Sequence, residues 1–167
     1  SDPSAVELLD ERCVALMPRE VLTSLEDIGG SESMGSTHGA LLVAEFEGED
    51  ARDRAERSAS AAGARASRIW DQKKEGQLIA EFWKGRKRML FSVKKSAGGD
   101  GAPSLVNDVG VPVEALKSFL RDVARLVESF SPALYVYGHA GSGNLHLRPD
   151  VRGLAPERQV QMARGVY

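Results

Sequence analysis

Residues 134–149 constrain the fold most, because two apolar, aromatic-rich runs flank a short Gly-Ser-Gly-Asn segment. Such a segment between two runs of this kind is typical of a β-hairpin. With Ser142 and Gly143 as a two-residue loop, His139 lies directly opposite His146, with Cβ atoms about 5 Å apart. Two facing imidazoles can share a divalent metal, although zinc sites usually take three or four protein ligands. A surface hairpin whose histidines merely face each other is the simpler alternative.

Composition indicates one globular domain without a nucleic-acid or membrane partner. The 167 residues are enough to bury a hydrophobic core. The net charge of −2 gives no reason to expect an anionic partner such as nucleic acid. No apolar run approaches the roughly 20 residues of a membrane helix, and no signal peptide opens the chain. Cys13 is interpreted as a packing residue; it has no internal disulfide partner, so a reducing cytoplasm is the expected compartment.

Residues 1–39 are interpreted as an N-terminal helical segment and loop. Apolar residues recur at helical spacing between Ser4, a candidate N-cap, and Pro18, which ends the first helix. A second short segment is expected over 21–28. His38 falls in the polar stretch that follows and is interpreted as a surface histidine.

Residues 40–167 are predicted to form the α+β core, truncated at its C-terminus. The predicted elements are strands over 40–47 and 65–70, helices over 49–62 and 74–90, a strand over 104–111, a helix over 112–129, the hairpin, and a helix over 156–166. This order favours a ferredoxin-like sandwich, in which a mostly antiparallel sheet carries helices on one face.

Arg86 interrupts the apolar stripe of the helix that contains it, four residues after Phe82 and three before Met89. A guanidinium directed toward a core requires either a carboxylate partner or a polar cavity. Periodicity alone favours either an arginine that extends its head group to solvent or an internal ion pair, for instance with Glu45 or Asp108. Asp108 is also a candidate third metal ligand, although a strand carboxylate is more often a turn or helix-entry residue.

Three segments carry a resemblance to a known family. Residues 138–146, Gly-His-Ala-Gly-Ser-Gly-Asn-Leu-His, resemble the Gly-His-x-Gly-Asp-Gly-Asn-Leu-His stretch of the FAD-linked oxidase C-terminal domain. This is the substrate-side domain of flavoproteins such as D-lactate dehydrogenase, the glycolate oxidase flavin subunit and D-2-hydroxyglutarate dehydrogenase. Residues 82–87 are similar to the family's Trp-x-x-Arg segment, and residues 107–112 to its strand ending in Asp-x-x-x-Pro. The resemblance covers about 40–149.

Three positions depart from the family pattern. Ser142 stands where the family usually has Asp. Val106 stands where some members carry a substrate-binding Lys, and Leu90 where some place a Thr. The departures leave the identity of the substrate open.

The resemblance implies an oxidoreductase, an FAD-dependent D-2-hydroxy acid dehydrogenase, of which this chain is the substrate-binding cap domain without the FAD-binding domain. In such flavoproteins the positions of His139 and His146 hold a divalent metal such as Zn or Mn, together with a downstream Glu. Asn144 corresponds to a residue near substrate and flavin, and Arg86 to the clamp on the substrate carboxylate. The catalytic base is expected downstream, so this chain is expected to contain no catalytic or FAD-binding residue.

The expected partners are the chain's own FAD-binding domain and a small 2-hydroxy acid, with an unknown electron acceptor and a homodimer as one expected assembly. Residues 147–149 resemble large family members that are fused to an iron–sulfur module. The chain alone is expected to fold, to lack dehydrogenase activity and to bind metal weakly; turnover by the chain alone would contradict this.

Two alternatives remain at this stage. One is a stand-alone ferredoxin-like, dimeric binding or regulatory module without catalysis, which a complete gene of this length without a flavin domain would favour. The other is a metal-dependent hydrolase that uses the two histidines, which hydrolytic activity with added Zn or Mn would favour.

Overall fold

The computed structural model describes residues 3–29, 39–63, 67–99, 105–130 and 133–167, and the predicted surface histidine His38 lies outside these ranges. The strands are β1 Ala5–Leu9, β2 Leu41–Glu45, β3 Val106–Gly110, β4 Leu134–His139 and β5 Asn144–Pro149. The α-helices are α1 Glu11–Val14, α2 Arg19–Gly29, α3 Ala51–Ala61, α4 Gln72–Lys87, α5 Met89–Ser96, α6 Leu116–Glu128 and α7 Pro156–Val166.

The five strands form one antiparallel sheet in the order β2-β1-β4-β5-β3, which confirms the predicted α+β class. β3 and β4 are both antiparallel to β5, so they run parallel to each other on its two sides. The helix α6 connects β3 to β4, and this arrangement is the split β-α-β unit of ferredoxin-like folds.

Helices cover both faces of the sheet, because β4 is apolar on both sides. Tyr135 and Tyr137 face one core and Val136 faces the other. The first, here the α4 core, contains Leu9, Cys13, Val14, Met17, Val21, Phe82, Met89, Val93, Ala97, Tyr135 and Tyr137. The second, here the α6 core, contains Val106, Val109, Val123, Val127, Val136, Leu145, Leu147, Val151 and Met162. The expectation that helices lie on one face therefore accounts for only one of the two cores.

The N-terminal segment contributes a strand where a helix was predicted. β1 lies inside the sheet, paired with β2 and β4. Asp10, not Ser4, caps the first helix, and its carboxylate accepts a hydrogen bond from the amide of Cys13 at 2.8 Å. A five-residue strand followed directly by a helix is too short for apolar spacing to distinguish the two structures. The correction places Glu7 on the α4 side of the sheet, two residues from Leu9.

β2 is an edge strand with one neighbour, and its Leu42 is 57% exposed. One smaller expectation is also corrected. Residues 67–70, the described part of the strand predicted over 65–70, do not join the sheet. Cys13 is fully buried in the α4 core, as predicted. None of the described helices combines the length and the apolar character required to cross a membrane.

Acid sensitivity is expected from Asp150, directly after β5. Arg152 donates from Nε to both Asp150 carboxylate oxygens at 3.0 Å and holds the pKa of this buried carboxyl below its ordinary value of 3.8. The unfolded chain therefore binds the proton first, and this stabilisation is lost as the pH falls below about 3.8 through the folded pKa. Urea unfolding at pH 6 and pH 3 should show a smaller loss of stability in Arg152→Gln than in the wild type. An equal loss in both proteins would contradict the assignment.

Candidate functional site

The hairpin brings both predicted histidines to the α4 side of the sheet, in a register different from the predicted one. His146 lies opposite Tyr137, and His139 opposite Asn144, because the connecting loop has four residues and ends at Gly143 in a left-handed conformation. The prediction that the two histidines lie directly opposite each other is therefore wrong. The register differs by two residues, so both side chains keep the predicted face. Their ring centroids are 6.4 Å apart.

Glu7 joins two of the predicted site residues and was not predicted from the sequence. Its side chain is 4% exposed. Arg86 Nε donates to Glu7 Oε2 at 2.7 Å, and His139 Nδ1 donates to Glu7 Oε1. The carboxylate partner of Arg86 is thus Glu7, and the expectation of Glu45 or Asp108 is corrected.

Arg86 retains hydrogen-bonding capacity beyond its ion pair. Its side chain is 10% exposed, and its guanidinium carbon lies 5.2 Å from the centroid of the Tyr137 ring. The Nη2 atom is buried and has no hydrogen-bond partner among the residues that the structure describes. A guanidinium carries five N–H donors, and a buried donor without a partner is costly. The unused Nη2 donor of Arg86 is therefore suited to an incoming carboxylate.

A cavity of about 360 Å³ lies beside this arginine. It is lined by Arg86, Lys87 and Leu90 from the helices and by Asp108, Tyr137, His146 and Arg148 from the sheet. Its volume falls in the range of about 300–1,000 Å³ that small-molecule sites occupy. Three cationic side chains and one carboxylate in the lining favour an anionic ligand.

Asp108 reaches the cavity through an irregularity in β3. The register with β5 shifts between Val106 and Asp108, so Val106 stays in the α6 core while Asp108 faces the α4 side. There its Oδ1 atom lies 2.6 Å from His146 Nδ1. Burial lowers the pKa of His146 below 6.5, although Asp108 opposes this shift. At neutral pH the imidazole is therefore uncharged, with Nδ1–H donating to Asp108 and Nε2 left as the acceptor nitrogen.

The two histidines can act as metal ligands, but a complete metal site needs further ligands. Each imidazole has its Nδ1 atom hydrogen-bonded to a carboxylate, His139 to Glu7 and His146 to Asp108. Such a contact orients an imidazole for metal binding through Nε2. Within the described ranges, no group of three or more His, Cys, Asp or Glu side chains is placed to hold a metal. The chain contains one cysteine, the buried Cys13, and thus offers no set of thiolates for an iron–sulfur cluster.

Two other hairpin residues have distinct surroundings. Asn144 Oδ1 is buried and has no hydrogen-bond partner in the described part of the chain. Asn144 is not among the residues that line the cavity, and it lies on the same side of the sheet as His139. Ser142, at the position where the resembled family usually has Asp, is exposed and donates to the carbonyl oxygen of His139 at 3.2 Å. Ser142 therefore stabilises the loop itself.

Tyr137 occupies the centre of the site. Burial raises the pKa of its phenol above 10, against the opposing effect of a hydrogen bond with Arg148. The phenol is consequently neutral at physiological pH. Its ring contacts the Arg86 guanidinium on one side and lies 4.9 Å, centroid to centroid, from the His146 ring.

Comparison with known proteins extends the resemblance to almost the whole chain. The family described as FAD linked oxidases, C-terminal domain, matches residues 1–164, which include β1 and Glu7. A D-2-hydroxyglutarate dehydrogenase of Pantoea ananatis (strain AJ13355) is 26% identical over 171 residues. That alignment covers 96% of this chain and 16% of the relative, so the chain spans about a sixth of the length of that protein.

Proposed function

Because the chain belongs to the family of FAD linked oxidase C-terminal domains, we propose that it is the substrate-binding cap domain of an FAD-dependent D-2-hydroxy acid dehydrogenase. The observation that carries this proposal is Arg86, whose buried Nη2 atom has no partner among the described residues and whose side chain lines a cavity beside His146. A guanidinium with an unused N–H donor is the group best suited to bind a carboxylate, with which it can form charge-assisted hydrogen bonds.

The chain's own residues have binding and orienting roles in this proposal. Arg86 holds the α-carboxylate of the substrate, and Glu7 holds Arg86 at its Nε atom. The substrate then lies against the α4 side of the sheet, with its hydroxyl toward the two histidines. FAD, bound by another domain, supplies the hydride acceptor, and the catalytic base also comes from outside this chain.

We further propose that His139 and His146 hold a divalent metal such as Zn or Mn with at least one ligand from outside the described residues. The metal, when bound, supplies a Lewis acid for the substrate oxygens. Calorimetric titration of this chain with Zn²⁺ should give binding far weaker than the roughly 10–16 kcal/mol of complete structural zinc sites. The binding should disappear in the variant His139→Ala/His146→Ala. Tight binding that this variant retains would overturn the assignment.

Reduction of the flavin by candidate substrates tests the proposed activity. The full-length protein, mixed without oxygen with D-2-hydroxyglutarate, D-lactate or glycolate, should lose its oxidised-flavin absorption with at least one of them. The L-enantiomer of the active acid should leave the flavin oxidised. If all of these acids leave the flavin oxidised, the proposed dehydrogenase activity is wrong.

A further inference from the structure

Glu7 joins the proposed carboxylate-binding arginine to one of the two proposed metal ligands. Its Oε2 atom accepts a hydrogen bond from Arg86 Nε at 2.7 Å, and its Oε1 atom accepts one from His139 Nδ1. The two contacts therefore use different oxygens of one carboxylate, whose side chain is only 4% exposed. Solvent and salt screen such a buried group weakly, so a change of charge at one contact is felt at the other.

Both contacts leave the partner's other nitrogen atoms available to a ligand. Arg86 binds Glu7 through Nε, and its buried Nη2 atom has no hydrogen-bond partner among the described residues. His139 binds Glu7 through Nδ1, which leaves Nε2 as the acceptor nitrogen of a side chain that is 57% exposed. A carboxylate on Arg86 and a cation on His139 can therefore bind at the same time without displacing Glu7.

The second histidine has a different carboxylate behind it. His146 Nδ1 lies 2.6 Å from Asp108 Oδ1, and the Asp108 side chain is 65% exposed. In the described part of the chain, the ion pair of Arg86 is with Glu7 and not with Asp108. The two histidines thus face the same side of the sheet, but the buried carboxylate links His139 to the arginine.

We propose that Glu7 is a positioning residue that couples the two halves of the proposed site, so that a carboxylate on Arg86 and a divalent metal on His139 each strengthen the binding of the other. The inference rests on the proposed function for the identity of the two ligands. When Nε2 holds a cation, the Nδ1–H group becomes a stronger donor and draws the negative charge of Glu7 toward His139. Arg86 then keeps more of its positive charge for a bound carboxylate. Because a coupling free energy is reciprocal, the carboxylate raises the metal affinity by the same factor.

The ratio of two zinc affinities measures this coupling without any turnover. The full-length protein, freed of metal by a chelator, is titrated with Zn²⁺ in acetate and in chloride at the same ionic strength. Acetate supplies a carboxylate without a hydroxyl group to oxidise. The wild type should bind Zn²⁺ about fivefold tighter or more in acetate, which is the lower end of typical coupling factors. Glu7→Gln keeps the shape of the side chain and removes its charge, so it should bring this ratio close to one.

The variants His139→Ala and His146→Ala form a matched pair. Each removes one imidazole ligand, but the carboxylate behind His139 is Glu7 and the carboxylate behind His146 is Asp108. His139→Ala should therefore lose the effect of acetate, whereas His146→Ala should keep it on a weaker zinc affinity. A purely structural role of Glu7 would not distinguish the two variants. His139 is 57% exposed, so its variant remains informative if Glu7→Gln fails to fold.

Each outcome decides the inference separately from the proposed reaction. A wild-type ratio near one, a ratio that Glu7→Gln or His139→Ala keeps, or an equal loss in both histidine variants would overturn the coupling. A wild type that binds no Zn²⁺ would overturn the coupling together with the metal site, while reduction of the flavin by a 2-hydroxy acid would still support the dehydrogenase. A coupling that depends on Glu7 in a protein whose flavin no 2-hydroxy acid reduces would support the inference and refute the dehydrogenase.

Discussion

Replacing Glu7 with methionine is expected to lower the free energy of unfolding by about 3–5 kcal/mol, the usual cost of removing one partner from a buried ion pair. Arg86, the partner, has a 10% exposed side chain and receives its charge compensation from Glu7 at 2.7 Å. The substitution leaves that guanidinium buried beside a thioether, and it also removes the carboxylate bonded to His139. Urea unfolding followed by circular dichroism measures the loss.

The double variant Glu7→Met/Arg86→Met should recover most of that stability, because two apolar side chains replace both buried charges. Glu81→Met is the matched control, since its ion pair with Lys84 is on the surface and such pairs contribute about 0–1 kcal/mol. If the double variant is as unstable as the sum of the two single variants, Glu7 and Arg86 do not act as a pair.

Gly143→Ala is expected to destabilise the protein by about 3 kcal/mol or more, from two causes that act together. Gly143 has φ 69°, a left-handed conformation that costs other residues about 1–2 kcal/mol. In addition, a Cβ atom at this position would lie 1.8 Å from the carbonyl oxygen of Val111. The two segments are also joined by a hydrogen bond from Val111 N to Gly143 O at 2.9 Å, so the clash must shift backbone in both.

The variant Gly153→Ala separates the cost of the left-handed backbone conformation from the cost of the steric clash. Gly153 has φ 75° and nothing within 4 Å of an added Cβ, so this variant should lose only the conformational cost of about 1–2 kcal/mol. Denaturant unfolding of the two variants side by side should therefore show clearly greater loss for Gly143→Ala. Similar losses would mean that the hairpin loop does not press against Val111 as the structure indicates.

The parts of this fold that could be predicted are those with a long periodic signal. The helix containing Arg86 runs over 16 residues, enough for the apolar stripe to place Arg86 against the core. The apolar runs of the hairpin likewise predicted two strands. The shared face of His139 and His146, predicted from a two-residue loop, is retained because the observed register differs from the predicted one by two residues. The exact register could not be predicted, because a Gly-Ser-Gly-Asn segment permits both a two-residue and a four-residue loop.

The contacts that complete the site depend on residues far apart in the chain. Glu7 and Arg86 are separated by 79 positions, and Glu7 lies in a strand of five residues that periodicity assigns equally well to a helix. Asp108 faces the cavity only because the register shifts after Val106, and such irregularities leave little trace in a sequence.

The central claim is that Arg86 binds the substrate carboxylate, and the kinetics of Arg86→Lys in the full-length protein test it most directly. Lysine keeps a cation for Glu7 but lacks the planar fork that holds a carboxylate by two bonds. We expect kcat/KM for the active D-2-hydroxy acid to fall by about 100-fold or more. Lys84→Met, which removes an exposed cation from the same helix, should change it less than about twofold. Unchanged kcat/KM in a folded Arg86→Lys variant would contradict the account.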